Sequence, residues 1–322
     1  MKKIKIVVLS LFDGISCGRV ALDSLPHVEV LRYYSAEINK TSIQVADYWY
    51  PQDTEYRLGD VREIDCQALI ATIKKDFGDV KILLLGGSPC QDFSPANAVR
   101  AGVAGEKSSL FYEFVRIKSR LNPDYFLLEN VRMTTKDEYL VNKAMRCKPI
   151  VINSKVVSPQ LRHRLYWTNI NGVKKLQDKG ITLNSCLHGG YSDREKSRAL
   201  LASDARPLTT PIKMAHRYFN TGFTTLIFLS SEHYKQVKSH FDTHFKGKSA
   251  KEIDSRVAGM DLSLYDGVRY MTRTEREACQ TMPIGYTSVL SENEAAGVLG
   301  DGWTVDVISH ILSNVGNDTK TV

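Results

Sequence analysis

Short apolar runs alternate with helix-like segments through the first half of the chain, and this alternation constrains the fold more than any other feature. Mainly apolar runs at residues 5–12, 80–85 and 125–128 have the length of strands, and residues 110–121 carry apolar side chains at helical spacing. Strands that are apolar on both faces are typical of parallel sheets covered by helices on both sides. The pattern therefore predicts an α/β fold with a doubly wound, mostly parallel sheet.

Polar or glycine-rich turns follow the predicted strands. The turn at residues 12–18 follows the first strand, Glu37 ends the second, and Asp60 follows a short third strand predicted at residues 56–58. Ligands of open α/β sheets bind outside the carboxyl ends of the strands, where an acidic residue commonly binds a ribose. These turns predict a nucleoside cofactor, whereas the absence of a GxGxxG motif disfavours a nicotinamide oxidoreductase.

Two potentially reactive side chains follow the next two predicted strands. Cys90 lies in a loop shaped by Gly86, Gly87 and Pro89, which is where a nucleophile would be placed, although a buried structural cysteine is the ordinary alternative. Glu129 comes directly after the apolar run 125–128 and is suited to proton donation.

Positive charge is concentrated in one segment. Residues 174–251 contain 14 Lys and Arg against 6 Asp and Glu, a local net charge of +8, while the whole chain carries +7. A basic segment beside a nearly neutral body favours a polyanionic partner, nucleic acid first, over a merely solvated surface. The six cysteines form no CxxC pair, which argues against a disulfide scaffold and a metal site, and no apolar run is long enough to cross a membrane.

The ordered motifs of the chain resemble those of the DNA (cytosine-5) methyltransferases. They are the turn with Phe12 and Gly14, the Pro89-Cys90-Gln91 loop, the Glu129-Asn130-Val131 triplet, the Gln160-x-Arg162-x-Arg164 motif, residues 269–283 and residues 300–305. Details around Asp13, Asp60 and Trp303 look more like the animal de novo branch. The short chain is typical of a stand-alone bacterial or phage enzyme of the restriction-modification type.

The resemblance implies a division of the chain and a reaction. Residues 1–170 would form the catalytic and cofactor-binding domain, 171–268 a smaller, irregular target-recognition region, and 269–322 a return segment that completes the catalytic domain. The enzyme would transfer a methyl group from S-adenosyl-L-methionine to C5 of a cytosine in a specific site of double-stranded DNA. Cys90 would form a covalent adduct with C6 of the flipped base, assisted by Glu129, Arg162 and Arg164.

The resemblance also implies two sets of binding residues. The cofactor would be bound by Phe12, Asp13, Gly14, Ile15, Glu37, Ile38, Asp60, Val61, Pro89, Leu110 and Trp303. DNA would be bound by Gln91, Ser94 and Asn97 in a loop that closes over the base, and by the basic residues Arg194, Lys196, Arg198, Arg206, Lys213 and Arg217.

Two rival functions stay open at this point. A tRNA cytosine-5 methyltransferase would use the same chemistry, and a catalytically silent module would bind nucleic acid without reacting. The long basic region favours DNA over tRNA, and the presence of Cys90, Glu129 and Arg164 favours an enzyme over a silent module. We expect the protein to act in the bacterial host cell cytoplasm, away from membranes, as a monomer or weak dimer.

Overall fold

Six strands form one sheet, and their order is β2-β1-β3-β4-β6-β5. The computed structural model describes residues 3–89, 109–202 and 210–317. The strands are β1 (Ile4–Leu11), β2 (Val28–Ala36), β3 (Lys81–Gly86), β4 (Tyr125–Val131), β5 (Ile150–Asn153) and β6 (His163–Thr168). Strands β1 to β4 are parallel, and β6 runs antiparallel to both of its neighbours. The predicted doubly wound, mostly parallel sheet is confirmed.

Helices follow most of the strands. In the described part of the chain they are α1 (Cys17–Asp23), α2 (Lys40–Trp49), α3 (Cys66–Phe77), α4 (Ser109–Leu121), α5 (Thr135–Met145), α6 (Pro211–His216), α7 (Ser231–His244), α8 (Ala250–Arg256), α9 (Arg273–Cys279), α10 (Glu292–Asp301) and α11 (Val305–Leu312). Several begin at residues whose side chains accept hydrogen bonds from the first turn, such as Asn39 before α2 and Asp65 before α3. These caps pair N–H groups that have no partner inside the helix.

The apolar strands lie in the centre of the sheet, and side chains on both of their faces are covered there. Val7 and Leu9 of β1, Leu84 of β3 and Leu128 of β4 are fully buried in one hydrophobic cluster with residues of α3, α4 and α5. From β1 the chain adds β2 on one side, and it then adds β3 and β4 on the other side of β1. The order of the strands therefore reverses direction between β1 and β3. Such a reversal opens a crevice at the carboxyl ends of these two strands.

The chain divides into two compact units. The first comprises Met1–Asn153, His163–Leu176 and Gly302–Val322, and the second comprises Ser154–Arg162 and Gln177–Asp301. Only the last part of the predicted return segment therefore belongs to the unit that contains the sheet. The remainder packs in the second unit, where the side chains of Ser158 and Gln160 both donate to the carbonyl of Cys279. The functional roles predicted for the segments stay predictions.

The second unit has more regular structure than its sequence indicates. Helices α6, α7 and α8 surround a cluster of buried apolar side chains that includes Tyr218, Phe228, Val237 and Phe241. The sequence pattern missed α7 because its only fully buried side chains are Val237 and Phe241, and two apolar positions in a polar helix do not produce a wide apolar stripe.

The strand predicted at residues 56–58 is absent from the structure. Residues 51–56 form a 3-10 helix instead, and only Arg57 makes a single parallel bridge, to Ser35. Residues 223–229, whose sequence is also strand-like, make isolated bridges through Ile227 and Phe228 but form no strand. Both segments are short, and runs of this length do not by themselves distinguish a strand from other backbone. Within the described residues, no helix has the length and apolar character needed to cross a membrane.

Candidate active site

The turn after β1 is shaped by a carboxylate at the end of β2. Gly14 has a φ angle of 58°, in the region that favours glycine, and its N–H donates to Glu37 Oε2 at 2.8 Å. The other oxygen of Glu37 accepts hydrogen bonds from the N–H groups of Ile38 and Asn39, each at 2.8 Å. Two of the predicted cofactor-binding residues, Gly14 and Glu37, therefore lie side by side at the sheet edge.

The side chain of Asp13 stabilises the same turn. Its buried carboxylate accepts hydrogen bonds from the hydroxyls of Ser16 and Tyr33, both at 2.6 Å. Burial raises the pKa of Asp13 above its usual value, although the two hydroxyl donors oppose this effect. Sequence reasoning missed Tyr33 in this role because only the fold brings it to Asp13, whereas Ser16 lies in the same turn and its spacing to Asp13 was the available signal.

Trp303 closes the crevice between β1 and β3. Its side chain is buried, and its backbone N–H donates to Cys17 Sγ at 3.3 Å. A Cβ added to Gly87 would lie 2.7 Å from Trp303 Nε1, and one added to Gly18 would lie 2.8 Å from Leu85 Cδ1. The absence of a side chain at Gly87 thus lets the indole pack directly against the end of β3, and its absence at Gly18 lets α1 pack closely against Leu85 of β3.

The other predicted cofactor residues are divided between the core and the surface. Ile15 and Val61 are buried, Phe12 and Leu110 are partly buried against the core cluster, and Pro89 is half-buried. Ile38 is 67% exposed at the tip of the turn after β2.

Asp60 begins a 3-10 helix, and its side chain accepts a hydrogen bond from the N–H of Arg62. Hydrogen bonds from Arg62 lower the pKa of Asp60 to about 2.

Glu129 and Arg164 form an ion pair at the end of β4. Arg164 lies opposite Val131 in the antiparallel register, so its side chain is on the same face of the sheet as that of Glu129. Arg164 Nε is 2.8 Å from Glu129 Oε1, with 14% and 10% of the two side chains exposed. Although Oε1 is this close to a cation, it accepts no well-directed hydrogen bond from the described part of the chain.

Asn130 connects the two segments that carry the predicted catalytic groups. Its Nδ2 donates to Ser88 Oγ at 3.1 Å, and its Oδ1 accepts a hydrogen bond from the N–H of Val131. Ser88 is buried directly before Pro89. The sequence analysis assigned no role to Asn130, and its place inside the Glu129-Asn130-Val131 triplet was the available signal. Cys90, Gln91, Ser94 and Asn97 lie outside the described residues.

The Gln160-x-Arg162-x-Arg164 motif contributes to both units. Arg164 belongs to β6 in the first unit, whereas Arg162 is buried in the second, where its guanidinium donates to the Gly300 carbonyl at 3.3 Å. Gln160 is also fully buried, and its Oε1 accepts a hydrogen bond from the N–H of Leu200 at 2.8 Å. In the second unit, Arg162 and Gln160 thus hold backbone groups in place.

The predicted DNA-binding residues differ in how accessible they are. Lys196 is largely buried, and its ammonium donates to the carbonyls of Lys155, Ser158 and Ile181. Since an ammonium has three protons, this geometry favours a structural role for Lys196 over the predicted contact with DNA. The guanidinium of Arg194 is also used within the protein, since it donates to the carbonyls of Gly222 and Thr224.

The remaining basic candidates are closer to solvent. Arg198 is exposed, Arg217 is half-buried, and Lys213 makes a loose ion pair with Asp254 at 3.8 Å. Arg206 lies outside the described residues.

The order of the sheet, the glycine-lined crevice where its winding reverses and the carboxylates at the ends of β2 and β4 define an α/β protein of the methyltransferase type. The chain belongs to the C-5 cytosine-specific DNA methylase family, whose model matches residues 6–317. The predicted family is therefore confirmed.

The relatives of the chain include phage and plant proteins. It is 31% identical over 182 residues to the orphan methyltransferase M.Rho11sI of Bacillus phage rho11s, a match that covers 53% of this chain and 33% of the relative. It is 36% identical over 116 residues to the DNA (cytosine-5)-methyltransferase DRM2 of Oryza sativa subsp. japonica, which covers 34% of this chain and 18% of the relative. The matched segments thus span a third or less of these curated relatives.

A solved structure shares the fold over nearly the whole chain. The Entamoeba histolytica methyltransferase EhMeth superimposes with a TM-score of 0.69 and covers 99% of this chain and 100% of its own, at 14% sequence identity. At this identity the likeness supports the fold and carries no information on substrate.

Proposed function

We propose that the chain transfers a methyl group from S-adenosylmethionine to C5 of a cytosine in a specific site of double-stranded DNA. The observation that carries this proposal is the buried Glu129 Oε1, which lies 2.8 Å from Arg164 Nε without a well-directed hydrogen bond from the described residues. A buried oxygen without a hydrogen bond is costly, and it suggests a ligand that supplies the missing donor. The exocyclic amine of cytosine is such a donor.

Three side chains have separate roles in the reaction of the base. The Cys90 thiolate adds to C6, which makes C5 nucleophilic. Glu129 forms hydrogen bonds with the ring N3 and the exocyclic amine. These bonds stabilise the negative charge that develops on the ring when the thiolate adds to C6. Arg164 keeps positive charge beside Glu129 and the cytosine O2. The bond from Asn130 to Ser88 supports these roles, because it ties the strand end that carries Glu129 to the residue two positions before Cys90.

The crevice between β1 and β3 fits a cofactor that contains a nucleoside. Glu37 is held by backbone N–H groups on both oxygens and is suited to bind ribose hydroxyls. The Gly14 backbone allows a ligand to approach closely, because nothing lies within 4 Å of a Cβ added there. Trp303 lines one side of the crevice. S-adenosylmethionine, when bound there, would supply the methyl group to the activated C5. Loss of the C5 proton and expulsion of the Cys90 thiolate from C6 would then release 5-methylcytosine.

The DNA partner is inferred from the charge of the chain. The net charge of +8 in residues 174–251 suits phosphate contacts, and Arg198 is an exposed member of the predicted DNA-binding set. Because such a substrate and cofactor meet in the bacterial cytoplasm, we expect the protein to act there.

The experiment combines methylation mapping with covalent trapping. DNA from a methylation-free host that expresses the chain is mapped at single-base resolution, and the purified protein is incubated with a duplex that contains 5-fluorocytosine in the mapped site. We expect a discrete modified site and a covalent complex that survives denaturation. Cys90→Ala removes both, and Cys186→Ala, a half-buried cysteine elsewhere, serves as the matched control and retains both.

Each negative result has a definite meaning. Methylation of bare tRNA without methylation of duplex DNA would replace the proposed substrate. Binding of DNA without a trapped complex, in a protein that binds S-adenosylhomocysteine, would replace the enzyme with a silent binding module.

A further inference from the structure

Phe223 is an exposed aromatic residue next to a buried stretch of chain. It is 63% exposed, while the five residues that follow it, 224–228, are each at most 6% exposed. The exposed ring therefore does not belong to a loose loop. The backbone that carries it is anchored by its neighbours in the core of the second unit.

Arg194 holds the peptide groups on both sides of Phe223. Its guanidinium donates to the carbonyl of Gly222 at 3.4 Å and to that of Thr224, and it stacks on the ring of Tyr218, with 4.4 Å between the guanidinium carbon and the ring centroid. The Tyr218 hydroxyl in turn donates to Asp193. This arrangement fixes the direction in which the Phe223 side chain leaves the surface.

The surroundings of Phe223 include basic and polar side chains beside apolar ones such as Leu200 and Met271. Phe223 and the exposed Arg198 line the same surface depression, together with Thr224 and Thr225. The N–H of Arg198 donates to Thr225 Oγ1 at 2.9 Å, which fixes the two segments relative to each other. Both lie within the segment that carries the net charge of +8.

We propose that Phe223 stacks on a base whose face becomes exposed when the target cytosine leaves the duplex, while Arg198 contacts a neighbouring phosphate. An exposed aromatic ring on a fixed backbone contributes stacking at little cost in conformational entropy, and a neighbouring guanidinium matches the charge of the phosphate. The net positive charge favours a polyanion over a neutral protein partner. This inference rests on the proposed function and adds a residue that positions the DNA.

The test measures DNA binding and turnover of the full chain with three variants at position 223. Phe223→Ala removes the ring, Phe223→Leu keeps apolar bulk without an aromatic face, and Phe223→Trp restores stacking. Tyr139→Ala is the matched control, because Tyr139 is 64% exposed on α5 of the first unit. The readouts are the Kd for the duplex, KM and kcat for methylation, the Kd for S-adenosylhomocysteine and the thermal midpoint.

Loss of the aromatic face should weaken duplex binding specifically. We expect Phe223→Ala and Phe223→Leu to raise the Kd and KM for DNA about tenfold, in line with the usual contribution of one stacked base, with kcat changed less. Phe223→Trp should recover most of the affinity. Tyr139→Ala should match the unmodified chain, and all variants should keep their thermal midpoint and cofactor affinity.

Two results would overturn the inference. If the unmodified chain methylates DNA and Phe223→Ala binds the duplex equally well, this inference fails and the proposed function stands. The same holds if Phe223→Leu is as good as the unmodified chain, because apolar bulk rather than stacking would then suffice. If the unmodified chain neither methylates nor binds duplex DNA, the proposed function fails as well.

Discussion

Removing the Glu129–Arg164 ion pair should reveal a coupling energy well above that of a surface pair. The test is a double-mutant cycle with Glu129→Gln, Arg164→Met and the combination of the two. Both substitutions keep the approximate shape of the side chain but remove its charge. The free energy of unfolding of each protein is measured by urea denaturation at pH 7.

The expected magnitude follows from the geometry. At 2.8 Å and an effective dielectric constant of about 20, two unit charges attract each other by about 6 kcal/mol. The two side chains are only 14% and 10% exposed, so much of this attraction offsets the cost of removing them from water. We therefore expect a net coupling energy of about 1–3 kcal/mol, which lies within the usual range of about 0.5–3 kcal/mol for residues in direct contact.

A second cycle at the Lys81–Asp124 pair provides the control. Its charged atoms are 2.7 Å apart, almost the same separation, but its side chains are 51% and 31% exposed. Exposed pairs of this kind couple by about 0–1 kcal/mol. If the Glu129–Arg164 coupling is no larger than that of Lys81–Asp124, burial does not strengthen the pair and the argument for a specialised site at the end of β4 is refuted.

Three further predictions concern single residues. Lys196→Met should lower the free energy of unfolding by about 3 kcal/mol in a urea titration because three carbonyls lose their donor; weaker duplex binding at unchanged stability would instead support the DNA contact. Gly87→Ala should weaken S-adenosylhomocysteine binding in calorimetry, since the new methyl group would lie 2.7 Å from Trp303 Nε1, and unchanged affinity would mean that the indole moves aside freely. The urea concentration at half unfolding should decrease as the pH is lowered from about 4 to about 2, and Asp60→Asn should make this decrease smaller. In the native protein, the lowered pKa of Asp60 means that its carboxylate stabilises the fold above the ordinary pKa of 3.8 and loses this effect as the pH falls towards 2. Equal acid sensitivity in both proteins would contradict that reasoning.

Local sequence patterns predicted the elements that are apolar on both faces. The runs that became β1, β3 and β4 are buried on both sides of the sheet, so their composition alone identifies them. The residues after these runs were predicted to line a site because parallel strands bring their carboxyl ends to one edge. Gly14 and Glu37 do meet at that edge. The strands and this proximity could be predicted because each depends on one segment and a general rule of sheet geometry, and the binding roles of the residues stay predictions.

Contacts between distant segments could not be predicted in the same way. The proximity of Arg164 to Glu129 depends on the antiparallel register of β6 on β4, which no local pattern encodes. Lys196 was predicted to face DNA because it is charged, but its ammonium lies among carbonyls from two other segments. The sequence by itself determined the type of sheet, the family and the residue types available for chemistry. Only the tertiary structure decided which charges are buried and paired, because burial and pairing depend on the whole path of the chain.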